Sequence, residues 1–151
     1  VTPILISGGI SIDDRGVISF YNNFDFSLFR GVGVKRFYLV SNHRQGLIRA
    51  WHAHKHEAKA ITVVEGAAIV AAVQINDWGH PDPLAEVHRY VLSTTKPSIL
   101  FVPAGYANGF CTLTADARLL IFSSATVEES QRDDYRYDPH YWSDPWRVIE
   151  R

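Results

Sequence analysis

The chain has no methionine and a single cysteine, Cys111, among its 151 residues. One thiol closes no internal disulfide and builds no thiolate zinc site, so a reducing compartment, the cytoplasm, is the expected location. Neither sign of charge predominates: 15 Lys and Arg stand against 16 Asp and Glu. Without a global positive field there is nothing to attract a polyanion, and nucleic acid is not an expected partner. Apolar runs such as Ile69 to Val73 and Leu119 to Phe122 fall far short of the roughly 20 residues that span a bilayer as a helix. A membrane is therefore not expected as a partner either. The N-terminus shows no basic, then apolar, then small-residue leader. Since Val1 comes first, the numbering is expected to omit a few residues. No repeat of fixed period, low-complexity tract or shift in composition divides the sequence.

What is present suits one globular domain over residues 1–151, with 46% apolar and 21% charged residues. Glycine, proline and amide clusters punctuate the chain at short intervals. Between them lie segments rich in β-branched and aromatic residues: 36–40, 60–64, 67–75, 87–92, 99–102 and 119–123. These are predicted strands. No long window sustains a 3.6-residue apolar period, and the best candidate, 125–136, is too polar to hold a face. The expected fold is all-β, a sandwich or small barrel with the jelly roll among the commonest solutions. The tail differs, because Tyr135, Tyr137, Tyr141, Trp142 and Trp146 are interleaved with Asp and Pro. It is expected to be an extended arm packing on the body or on a partner, and a homodimer is a reasonable expectation.

The densest polar cluster runs from Arg49 to Lys59, with His52, His54 and His56 inside five residues. In a strand His52 and His54 project to one face, because side chains alternate with period two. Both would then line one concavity. Scattered surface histidines are common, but a pair at i, i+2 between apolar residues and ahead of an apolar strand is less so.

The spacing Gly46, His52, His54, position 59, Gly66 resembles the first signature of the cupin family. The segment Pro103-Ala104-Gly105-Tyr106-Ala107-Asn108 resembles the second, Pro-x-Gly-x-x-His. This resemblance implies a jelly-roll barrel with its site at the mouth. Where metal-binding cupins carry a glutamate and a last histidine, this chain has Lys59 and Asn108. An ammonium has no lone pair to give and an amide is a poor substitute for imidazole, so neither a metal nor another cofactor is expected.

A lysine in place of the metal is similar to the dTDP-4-dehydrorhamnose 3,5-epimerase family. Asp13-Asp14-Arg15-Gly16, Arg49-Ala50-Trp51-His52 and the 102–110 segment VPAGYANGF resemble that family's Asp-x-Arg-Gly, Arg-Gly-Leu-His and Pro-x-Gly-x-x-His-Gly-Phe. The stretch 35–55, with its His-Ala-His-Lys, is also similar to the sugar-nucleotide 3,4-ketoisomerases. The resemblance implies His52 as the base that removes a proton next to a ketone, and Lys59 as the cation that stabilises the enolate. It also implies a nucleotide diphosphate-linked 4-keto-6-deoxy sugar as substrate, in polysaccharide or O-antigen precursor synthesis. Arg15 and Arg49 are the candidates for the phosphates, because guanidinium presents paired donors. His54 and Asn108 are the candidates for the sugar hydroxyls or ketone. Three departures stand out: Ala50 replaces a glycine, Phe20 stands where a glutamate is expected, and Thr126, Val127 and Glu128 occupy the region of the epimerases' proton-donating tyrosine. Tyr38 is the candidate donor in its place, with Tyr106 the second choice. An epimerase acting at carbon 3, carbon 5 or both leads, with a 3,4-ketoisomerase or a sugar-binding cupin without turnover as alternatives.

Overall fold

The computed structural model describes residues 2–151. Twelve strands, one short α-helix and one 3-10 segment form two five-stranded antiparallel sheets packed face to face, plus a separate two-stranded ribbon. The first sheet runs β1 (Ile4–Ser7), β9 (Ser98–Val102), β6 (Lys59–Glu65), β11 (Arg118–Ser123), β4 (Arg36–Ser41). The second runs β12 (Tyr135–Arg136), β5 (Ile48–Ala53), β10 (Tyr106–Thr112), β7 (Ala67–Gln74), β8 (Val87–Ser93). The ribbon pairs β2 (Gly9–Asp13) with β3 (Gly16–Phe20). All ladders are antiparallel, as expected of a jelly roll.

Side-chain alternation explains the layers. In β7, Ala68, Val70 and Ala72 point between the sheets, where they meet Ile61, Val63, Leu100 and Leu119. Ile69, Ala71 and Val73 point the other way, into a second core with Trp51, Trp142 and Trp146. A strand covered on both faces reads as one apolar run, which is why this segment is the least interrupted in the sequence. The second core is closed by the C-terminal arm, so the aromatic tail packs on the body of its own chain. Trp142 is fully buried and donates from Nε1 to the Asp82 carbonyl at 2.8 Å. Trp51 and Trp146 both donate to the Pro139 carbonyl, at 3.1 and 2.9 Å. Rings of this size each withdraw about 150–250 Å² from water, and their polar edges are satisfied by backbone carbonyls of the arm and of the β7–β8 loop.

All six predicted strands are present, with both ends within one residue of the expected bounds. The six strands outside the predicted segments are β1, the two of the ribbon, β5, β12 and β10, whose Ala107, Asn108 and Gly109 lower its strand propensity. The polar 125–136 stretch needs a correction: it contains a helix, α1 (Val127–Gln131). Thr126 Oγ1 accepts from the Glu129 amide at 3.1 Å while the Glu129 carboxylate accepts from the Thr126 amide at 3.2 Å. That reciprocal cap sustains a single turn without an apolar face.

A bulge in β5 sets up the site. Asn108 pairs with His52 and Phe110 with Arg49, so Ala50 and Trp51 together oppose Gly109. The extra residue changes the alternation, and Arg49 and His52, three apart, line the same cavity while Trp51 turns to the outer core. Gly109 is required for this approach, since a Cβ there would meet the Ala50 Cβ at 2.4 Å and the Arg49 carbonyl oxygen at 2.9 Å. Gly109→Ala is expected to destabilise the fold by about 1–3 kcal/mol, as overpacking does, read as a lower midpoint in urea with an unchanged slope.

Candidate active site

Between the two sheets, at the end where β5, β6 and β10 meet, lies a cavity of about 340 Å³. Alternation supplies Arg36, Tyr38 and Val40 from β4, Lys59 and Ile61 from β6, and Asn108 and Phe110 from β10, while the bulge supplies Arg49 and His52 from β5. His54 lies directly after β5. The remaining wall is α1 with the segment behind it, through Val127, Ser130, Gln131, Asp134 and Arg136. Four cations, Arg36, Arg49, Lys59 and Arg136, thus face one lining carboxylate, Asp134. Walls of low polarizability focus that charge, and the cavity suits an anionic ligand.

His52 is half-buried, and its imidazole is pushed down to about 4 by desolvation first, then by the charges of Lys59 and Arg136, against the opposing pull of Asp134. At neutral pH it is an uncharged ring with a lone pair to offer. His54 is 4% exposed. Its Nδ1 lies 2.5 Å from the Asp133 carbonyl oxygen, which can only accept, so Nδ1 carries the proton and Nε2 the lone pair. Burial, then Lys59, lower the His54 pKa as well. The Asp133 carboxylate accepts from the amides of Lys55 and His56, both at 2.8 Å, and so latches the loop that carries His54. Arg49 donates from Nε to Asn42 Oδ1 at 2.7 Å, and the Arg36 guanidinium sits 4.9 Å above the Tyr38 ring.

Six of the seven residues singled out from the sequence, His52, His54, Lys59, Tyr38, Arg49 and Asn108, therefore meet at one cavity. Arg15 does not. It lies at the tip of the β2–β3 ribbon with its side chain 83% exposed, held to Asp13 at 2.6 Å. Tyr106, the second candidate donor, is 3% exposed and packs in the core between the sheets, not at this cavity. The sequence reading missed Arg36, Asp134 and Arg136. Arg36 was legible, because it sits two residues before Tyr38 on one strand face. Asp134 and Arg136 were not, since only the pairing of β12 with β5, Arg136 opposite His52, brings the tail to the histidine.

A sequence model of the dTDP-4-dehydrorhamnose 3,5-epimerase family matches residues 3–149. The chain belongs to that family. None of the curated proteins matches it by sequence. Among solved structures, the 4-keto-6-deoxy sugar epimerase NovW of Streptomyces spheroides superposes with a TM-score of 0.78 at 20% identity, over 97% of this chain and 75% of that one. ChmJ, a 3'-monoepimerase of Streptomyces bikiniensis solved with dTDP-quinovose, gives 0.73 at 20% identity over 94% and 75%. The 3,4-ketoisomerase QdtA of Thermoanaerobacterium thermosaccharolyticum, solved with TDP, gives 0.67 at 17% identity over 93% and 91%. The all-β architecture is thus the cupin-like fold of this isomerase family.

The 126–128 stretch, where the resemblance implied a proton-donating tyrosine, forms the start of α1: Thr126 is the helix cap and Val127 lines the cavity. Tyr38, on β4, is the one phenol lining the cavity among the described residues.

Proposed function

We propose that this protein is a metal-independent epimerase acting at carbon 3, carbon 5 or both of a nucleotide diphosphate-linked 4-keto-6-deoxy sugar. The observation that carries the reading is the convergence of an uncharged His52 with Lys59 in a cavity lined by three arginines. In the proposed mechanism the arginines hold the diphosphate, and the sugar ketone lies against Lys59. His52 takes the proton from the adjacent carbon. Charge building on the ketone oxygen meets a fixed ammonium where little water competes, so the transition state gains more than the ketone does. Tyr38 returns a proton from the other face. His54 Nε2 and Asn108 hydrogen-bond the sugar. Lys59 and Asn108 occupy the positions of two metal ligands in other cupins, and this donor set favours chemistry without a metal.

A 3,4-ketoisomerase is the second reading, favoured by the His-Ala-His-Lys segment. Incubation with such a keto sugar in deuterium oxide separates the two by which carbons gain deuterium and where the ketone ends. No exchange at any carbon rejects both and leaves a sugar-binding protein without turnover.

We also propose a homodimer in the cytoplasm, serving polysaccharide precursor synthesis. Supporting the dimer, the outer face of the first sheet exposes Phe37 and Leu39, with Phe26 of the 3-10 segment (Phe26–Val32) exposed beside Phe122, and the ribbon exposes Ile10, Ile12, Val17 and Ile18.

The low pKa of His52 sets the pH profile. In the free enzyme kcat/KM is expected to be level from neutrality down to about pH 5. It then halves near pH 4, whereas an ordinary imidazole would halve it at 6.5. Bound diphosphate offsets part of the positive field, so the acid limb of kcat is expected at higher pH than that of kcat/KM.

A further inference from the structure

Glu57 lies in the loop between β5 and β6, 3% exposed and directly behind the cavity wall. Its Oε2 accepts a hydrogen bond from Ser123 Oγ at 2.8 Å and lies 3.4 Å from Arg36 Nη2 and 3.8 Å from Lys59 Nζ. Its Oε1 is 3.6 Å from His54 Nδ1 and accepts no hydrogen bond among the described residues. Three cavity side chains therefore share one buried carboxylate. Ser123 is where it is because β11 pairs with β6 in a register that sets Ser123 opposite Lys59. Burial pushes the Glu57 carboxyl up, but Lys59, the nearby hydroxyls of Ser130 and Ser123, and His54 together hold it below its ordinary value, so it is ionised at neutral pH.

We propose that Glu57 is a positioning residue, which fixes the Lys59 ammonium at the cavity floor where it meets the enolate oxygen. This rests on the enolate role given to Lys59 above. A lysine stem has four rotatable carbons and no preferred reach. Lys59 is 8% exposed, and an ammonium this buried is held in place only by an opposite charge. Without Glu57 its nitrogen is free to swing toward water. A cation that must reorganise during the reaction loses the advantage of one already in place.

Glu57→Gln keeps the shape and removes the charge. It is expected to lower kcat by about 100-fold, the cost of an ångström-scale misplacement, with KM within about threefold. Glu57→Asp, which restores the charge on a shorter arm, is expected to recover part of that loss. Ser123→Ala, a milder disturbance of the same carboxylate, is expected to lower kcat a few-fold. In a double-mutant cycle, Lys59→Met and Lys59→Met/Glu57→Gln are expected to have equal kcat, because Glu57 acts through Lys59. Wild-type kcat in folded Glu57→Gln, or losses that add in the cycle, would overturn the proposal. Should Glu57→Gln fail to fold, unchanged kcat in folded Glu57→Asp and Ser123→Ala overturns it equally. Deuterium uptake by the wild type keeps the two levels apart: no uptake sinks the isomerase reading itself, whereas uptake that survives Glu57→Gln unchanged sinks the role of Glu57 alone.

Discussion

Replacing His52 by asparagine is expected to lower kcat by about 10³- to 10⁴-fold, toward the upper end of what a positioned general base contributes, with KM within a few-fold. Asparagine keeps a polar group of similar size at this half-buried position but cannot accept a proton at neutral pH. The thermal midpoint is expected to stay near the wild-type value, since the imidazole is uncharged in the fold and no ion pair is broken. The measurement is deuterium incorporation from solvent into the keto sugar, with ligand binding followed separately by calorimetry. A variant that binds but still exchanges at the wild-type rate would move the base elsewhere, and His54 Nε2 would be the next group to test.

Lys59→Met is expected to cost about 10²- to 10³-fold in kcat, the range for removing one group that stabilises a developing oxyanion. Methionine fills the same volume without charge, so lost packing is excluded as the cause. It leaves the buried Glu57 facing Arg36 alone at 3.4 Å. Some loss of thermal stability is therefore expected together with the kinetic loss, and kcat is to be read at a temperature where circular dichroism shows the variant folded. Lys59→Arg is expected to rescue poorly. A planar fork on a longer stem does not put its charge where a compact ammonium sits in a cavity of about 340 Å³. A methionine variant with full activity would show that the enolate is stabilised by another group, and the cationic cavity would be a phosphate site only.

Both predictions depend on residues that were legible at different levels. His52 stands out in the linear chain by type and spacing and Lys59 only by its place in the cupin-like signature, and β5 and β6 deliver them to one cavity. Strand alternation predicts a common face for His52 and His54, and the two do share a cavity. His54, though, lies just beyond the end of β5, held there by the Asp133 latch instead of by strand geometry. Arg49 reaches the same cavity only through the bulge opposite Gly109. A regular strand would have put Arg49 and His52 on opposite faces, and nothing in the composition of 48–53 announces the extra residue. Arg15 shows the converse. Its motif reads clearly, yet the ribbon that carries it projects from the body, and the motif alone says nothing about where the guanidinium goes.

By itself the sequence determined the all-β class, six of the strands, the lack of any thiol pair or long apolar run, and the pair of histidines at i, i+2. These depend on period, composition and residue type, all of which act over a few neighbouring residues. The tertiary structure alone decided that Glu57, Asp133, Asp134 and Arg136 surround that pair. The first belongs to a loop and the others to a polar tail with no apolar period to interpret. Their positions come from long-range events: β12 adding to the edge of β5, the tryptophan strap closing the outer core, and a buried carboxylate seeking the nearest cations. Such contacts join residues far apart in the chain, as with His54 and Asp133 across a separation of 79. Only the folded chain brings groups so distant in sequence within hydrogen-bond reach.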